Sequence, residues 1–269
     1  MSVPIALTIA GSDSGGGAGI QADLKTFAAL GVHGASVIAA LTAQNTQGVQ
    51  AIHDVPEAFV AAQMESVFSD LAVAAVKIGM LARGAVIETV ADALARLAPG
   101  VPVVLDPVMV ATSGDRLIAD EAVEALRGRL MPLADVITPN LPEAAALLGE
   151  PVAASEKEAV AQARRLLGMG ARAVLIKGGH AQGTESVDHL VASDGTLRRF
   201  ATARIATRNT HGTGCTLSSA VAAGLAKGLS LTDAAAQAKR YVTGAIAAAD
   251  QLSIGHGHGP LHHMHALWP

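Results

Sequence analysis

A chain of 269 residues, 51% hydrophobic but only 2% aromatic, has ample length for a large core, one built of Ala, Val, Leu and Ile. Its formal net charge of −4, from 19 basic and 23 acidic residues with no basic run, argues against a nucleic-acid or anionic-membrane partner. One cysteine cannot form a disulfide framework, and the N-terminus lacks the basic region of a signal peptide, so a soluble cytoplasmic protein is expected.

Along the chain, short continuous apolar runs alternate with helical patterns, which predicts an α/β fold with a mostly parallel sheet covered on both faces. Strands are predicted at 5–10, 36–41, 75–78, 103–106, 136–138 and 174–177. Helices are predicted at 21–30, 56–69, 85–98, 120–130, 142–148 and 156–169. Runs 187–192 and 197–201 flank Ser193-Asp-Gly195 as a hairpin. A glycine-bearing turn, Asn209-Thr-His-Gly-Thr-Gly-Cys-Thr-Leu217, then enters an apolar helix over 218–226, and an Ala-rich helix runs from 231 to about 252. With no Pro/Ser linker and no internal repeat, one domain over 1–269 is expected.

In such sheets ligands sit beyond the carboxyl ends of the strands. The first strand leads into Gly11-Ser-Asp-Ser-Gly-Gly-Gly-Ala-Gly19, whose spacing fails both the G-x-G-x-x-G dinucleotide fingerprint and the P-loop. Within and after it, Asp13 and Asp23 are either ligand contacts or, equally, a turn former and a first-turn helix acid. Gln44, in the loop expected after the second strand, carries an amide that matches the edge of an aminopyrimidine, and alone reads equally as a polar loop residue. Asp106 and Glu143 follow two further strands, where paired carboxylates suit a hydrated Mg²⁺ bridging nucleotide phosphates. Lys177 in Lys177-Gly-Gly-His180 offers a cation to phosphate oxygens. Gly212, Thr213 and Gly214 open a helix whose free N–H groups suit an anion, and Cys215 lies in its first turn, where the helix field favours a thiolate. Together these parts form a phosphoryl-transfer kit.

Ala10–Lys25, Ala43-Gln-Asn-Thr46, Asp106-Pro-Val-Met109, Thr138-Pro-Asn-Leu-Pro-Glu143, Lys177-Gly-Gly-His180 and Asn209–Cys215 resemble, in order and nearly end to end, the hydroxymethylpyrimidine/phosphomethylpyrimidine kinases of thiamine biosynthesis. That resemblance implies a ribokinase-like three-layer α/β/α sandwich, ATP and Mg²⁺ with a monovalent cation as a further candidate, and a homodimer. It also implies two successive phosphorylations of 4-amino-5-hydroxymethyl-2-methylpyrimidine at one site. By similarity Gln44 reads the pyrimidine edge with Gly11, Asp23 and Met80 around the ring, Asp106 and Glu143 serve Mg²⁺, Lys177 meets phosphate, and Gly212, Thr213 and Gly214 form the anion hole.

Cys215 stands where sugar kinases of the superfamily place an aspartate base; a thiolate there can take the hydroxyl proton, yet a loose transition state needs little base, so Cys215 is expected to matter more for the first phosphorylation than for the second. Pyridoxal kinases are the alternative, but some are understood to trap the aldehyde with a lid cysteine, and Val110-Ala-Thr-Ser-Gly114 has none. Residues 108–116 are expected to close over the site, hinged at Ser113-Gly114. A pyrimidine-binding protein without turnover has no use for Asp106, Glu143, Lys177 and the glycine turn together. The His-rich run 255–265 is expected to be a loose tail with incidental metal affinity. The thiamine phosphate synthase step is expected from a separate enzyme.

Overall fold

The computed structural model describes residues 3–109, 120–179 and 183–268. Strands β1 (Ile5–Gly11), β2 (His33–Asn45), β3 (Gly48–Asp54), β4 (Val73–Ile78), β5 (Val103–Leu105), β6 (Val136–Ile137), β7 (Ala173–Lys177), β8 (Glu185–Ala192) and β9 (Leu197–Ala203) form one sheet in the order β3-β2-β1-β4-β5-β6-β7-β8-β9. The central six strands are parallel, while β3, β8 and β9 pair antiparallel at the edges.

Alternate residues of the parallel strands point to opposite faces, and both faces are apolar. Leu7, Ile9, Val76, Ile78, Leu105 and Ile137 pack with helices α2 (Glu57–Asp70), α3 (Gly84–Leu97), α4 (Asp120–Ala125), α5 (Leu141–Leu148) and α6 (Glu156–Gly168). Ala6, Ala75, Val104, Val136 and Leu175 pack with α1 (Gly19–Ala29), α7 (Thr213–Ala226) and α8 (Leu231–Ala247). The result is the three-layer α/β/α arrangement expected. No helix among the described residues is long and apolar enough to cross a membrane.

Five local expectations are corrected. The second strand runs on to Asn45 and pairs with β3, so Gln44 sits on a hairpin rather than in a loop. Residues 50–54 of β3 are exposed, which removes the apolar pattern that marks a strand. The glycine turn is itself the first turn of α7, which starts at Thr213, not at 218. Helix α8 stops at Ala247, and residues 126–130 form a π turn rather than α-helix. The 255–265 run is no loose tail: Gly257 N–H donates to Thr46 Oγ1 (3.1 Å), Pro260 bridges His211, and His262 and His263 are buried.

One charge lies inside the apolar run of β4. Lys77 is fully buried and pairs with Asp23 of α1 at 2.8 and 3.0 Å, and Thr8 and Ser219 donate to the same carboxylate at 2.6 and 2.5 Å. The Asp23 charge raises the Lys77 pKa despite burial, so the cation persists. Replacing Lys77→Met leaves a buried carboxylate unpaired and is expected to cost about 3–5 kcal/mol in urea unfolding, with much of it recovered in Lys77→Met/Asp23→Asn.

Candidate active site

The site forms beyond the carboxyl ends of the parallel strands, around the point between β1 and β4 where the strand order reverses. There β1 enters its glycine loop. Asp13, 1% exposed, accepts from the N–H groups of Gly15 (2.8 Å), Gly17 (3.0 Å) and Ala18 (2.8 Å) and from His211 Nε2 (2.8 Å). Burial alone would raise its pKa, but these hydrogen bonds outweigh burial and hold it below the ordinary 3.8. The side chain read as a possible ligand contact is thus the knot of the loop.

Opposite lies the start of α7. Gly212 has φ 82°, and a Cβ there would meet Gly17 O at 1.9 Å, so the turn requires glycine twice over. The first turn of α7 leaves backbone N–H groups without helical partners, and Gly212, Thr213, Gly214 and Cys215 all line one cavity of about 640 Å³.

The ends of β5, β6 and β7 bring Asp106, Glu143 and Lys177 to the same place. Lys177 Nζ lies 2.8 Å from Asp106 Oδ1 and 3.7 Å from Glu143 Oε2, and a Cβ on Gly214 would stand 3.2 Å from it. Asp106 also accepts from Thr138 Oγ1 (3.0 Å) and Ser218 Oγ (3.2 Å). Burial works against its charge, yet Lys177 and Lys77 keep its pKa low. Glu143 forms a capping box with Asn140 at the start of α5, its Oε2 accepting Asn140 N–H at 2.7 Å. Burial, with the Asp106 charge adding to it, pushes Glu143 up to about 7 in spite of Lys177. Lys177 itself is raised by the two carboxylates against the effect of burial.

The lining residues come from two sets of elements, taken as two sides of the cavity: Gly11, Thr42, Gln44, Met80, Val108 and Met109 from β1, β2 and the segments after β4 and β5, and Thr202, Ala203, Val242, Thr243 and Ile246 from β9 and α8. On the β8 and α8 side Lys239 pairs with Asp188 at 2.8 Å, and Asp188 accepts the Gly178 N–H at 3.0 Å. Lys177, Asp106, Glu143 and the first turn of α7 line the same cavity as both sets.

Of the residues singled out from sequence, Gln44, Gly11, Met80, Asp106, Glu143, Lys177, Gly212, Thr213, Gly214 and Cys215 all reach this cavity. Asp23 does not: it is fully buried beneath the floor, its carboxylate committed to Lys77, Thr8 and Ser219. The thiolate expected at Cys215 is also corrected. Burial pushes the thiol up to about 11, overriding the pull of Lys77 and the Gly19 N–H. His180, and residues 110–116 of the expected closing segment, lie outside the described residues. Sequence reasoning passed over Lys77, His211, Ser218 and Lys239. Only Lys77 carried a signal, a lysine inside a run too apolar to leave it solvated.

The family profile described as phosphomethylpyrimidine kinase matches residues 13–262. A hydroxymethylpyrimidine/phosphomethylpyrimidine kinase of Rhizobium meliloti is 59% identical over 264 residues, 98% of each chain, and one of Escherichia coli is 54% identical over 263 residues, again 98% of each. The pyridoxal kinase of Staphylococcus aureus, solved in complex with AMP-PCP and pyridoxal, superposes with a TM-score of 0.90 at 30% identity, covering 99% of this chain and 96% of that one. The chain belongs to the phosphomethylpyrimidine kinase family, and its fold is ribokinase-like.

Two outcomes are expected. Alkylation of Cys215 by iodoacetamide runs more than about 10-fold slower at pH 7.5 than that of a free thiol and climbs through pH 9–10, and a rate that levels off by pH 7 contradicts the neutral thiol. For Asp13, a lowered pKa means stabilisation that is complete above the ordinary 3.8 and lost as pH falls through the folded value. Asp13→Asn is therefore less stable than the parent at pH 7, with a gap that narrows below pH 3.8 in urea melts.

Proposed function

We propose that the protein is an ATP-dependent kinase acting as one domain, which phosphorylates 4-amino-5-hydroxymethyl-2-methylpyrimidine to its monophosphate and then to its diphosphate for thiamine biosynthesis. The observation that carries this reading is the Lys177–Asp106 pair set against the first turn of α7, in the same cavity as Gln44 and Met80.

The acceptor occupies the side of Gly11, Gln44 and Met80, where the Gln44 amide donates and accepts along one edge of the aminopyrimidine. ATP lies toward β8, β9 and α8, its γ-phosphate meeting Lys177 Nζ and the N–H groups of Gly212–Gly214, which stabilise charge spreading over the transferring oxygens. Asp106 and Glu143 fit a cation that arrives on phosphate. Both line the cavity, yet no three His, Cys, Asp or Glu side chains among the described residues converge to hold an ion by themselves. Mg²⁺ bound there supplies charge neutralisation between the phosphates. A neutral Cys215 orients the hydroxymethyl group as a hydrogen-bond partner rather than removing its proton, and a loose transition state needs little base. In solution a second copy covering the exposed edge strand β3 makes the homodimer.

Pyridoxal phosphorylation is the second reading, supported by the close superposition on the Staphylococcus aureus enzyme. Mass spectrometry of products from Mg-ATP with hydroxymethylpyrimidine, and with pyridoxal in parallel, tests both. The expected result is successive mono- and diphosphorylated pyrimidine. Phosphorylated pyridoxal with untouched pyrimidine overturns the substrate, and no product in either tube favours a binding protein. Glu143→Gln is expected to raise the Mg²⁺ concentration for half-maximal rate about 10-fold or more.

A further inference from the structure

We propose that the Asp13–His211 pair is a positioning couple, fixing the phosphate-binding turn against the loop that carries the acceptor, so that it sets alignment rather than affinity. This rests on the phosphoryl-transfer reading and adds two residues that the reading does not use.

The two partners stand 198 residues apart, and each belongs to a loop gripped on its far side by one half of the site. On the acceptor side, Ser14 Oγ donates to Gln44 O and accepts the Gln44 N–H, both at 2.8 Å, and Thr42 Oγ1 donates to Ser12 O at 2.9 Å. The loop of Asp13 therefore holds the strand that presents Gln44. On the phosphate side, His211 immediately precedes Gly212, and its own N–H donates to Gly259 O at 3.1 Å. Between the halves, Asp13 Oδ2 meets His211 Nε2 at 2.8 Å.

Two glycines press the loops together at the same point. A Cβ on Gly17 would fall 2.3 Å from His211 Cδ2, and one on Gly212 would fall 1.9 Å from Gly17 O. Asp13 already accepts three backbone N–H groups, so it is an ionised acceptor, and His211 Nε2 carries the proton of the bond. A charge-assisted bond shielded from water is the kind that holds two segments to a fraction of an ångström. In-line transfer punishes a shift of about 1 Å by about 100-fold. The pair acts through Gly212 and Gln44 and is not a catalytic residue.

The test is steady-state kinetics on His211→Leu, His211→Gln and His211→Met, normalised to folded protein by active-site titration with a tight nucleotide analogue. For His211→Leu, kcat falls about 100-fold while KM for pyrimidine and ATP stays within about threefold, because each half-site survives and only their register is lost. A larger share of γ-phosphate also passes to water instead of pyrimidine. His211→Gln recovers about 10-fold of that loss, since its amide nitrogen reproduces the Nε2 donor, whereas a purely structural role is not rescued in kcat per folded site. If His211→Leu fails to fold, His211→Met carries the same comparison, since it leaves the three backbone N–H bonds to Asp13 in place, offers no donor to Oδ2 and is expected to lose kcat alone. The proposal is overturned by a kcat within about threefold of the parent, by a loss that appears only in KM, or by His211→Gln performing no better than His211→Leu. A parent enzyme inactive on both acceptors overturns instead the reaction on which the proposal stands.

Discussion

Helix α7 begins at the active site because two consecutive serines tie it to two buried ion pairs. Ser218 donates to Asp106, which Lys177 neutralises, and Ser219 donates to Asp23, which Lys77 neutralises. Neighbouring residues on a helix are turned by about 100°, so the two bonds grip α7 from different sides, one from the ends of β5 and β7, the other from β4 and α1. Burying such pairs costs heavily in lost hydration, and hydrophobic replacements often serve stability as well. What apolar packing cannot supply is register. Val221, Ala222 and Ala223 are small and smooth, whereas a hydroxyl that must meet a carboxylate fixes where the first turn of the helix stands.

Beside that turn, the two carboxylates of the site differ in character because their charged neighbours differ. Asp106, flanked by two lysines, is held below the ordinary carboxylate value despite its burial, while burial and the Asp106 charge, with one lysine to oppose them, push Glu143 up to about 7. Two acids whose environments drive their pKa values apart are suited to different roles.

Much of this was legible in the chain. Strands buried on both faces leave continuous apolar runs, and the loops after them stand out by glycines and by charged residues at strand ends, so Gln44, Asp106, Glu143, Lys177 and the 212–215 turn could be singled out, and all of them line one cavity. What failed shares a cause. Strand β3 is exposed along most of its length, so hydrophobicity carries no trace of it. The early start of α7 is hidden by Gly214 and two threonines, poor helix formers that tertiary contacts override. Asp23 reads as a ligand contact because its partner, Lys77, lies 54 residues away. Cys215 reads as a thiolate because the helix field is visible in sequence, whereas the burial that defeats it is not.

The central claim is that the first turn of α7, held by its serines and abutted by Lys177, receives the phosphoryl group in flight. A crystal structure with Mg-ADP, aluminium fluoride and hydroxymethylpyrimidine tests it most directly. The account predicts fluorides about 2.7–3.1 Å from the N–H groups of Gly212–Gly214 and from Lys177 Nζ, with the pyrimidine hydroxymethyl in line on the Gln44 side. A fluoride plane out of reach of that turn, or a pyrimidine seated between β9 and α8, would contradict it.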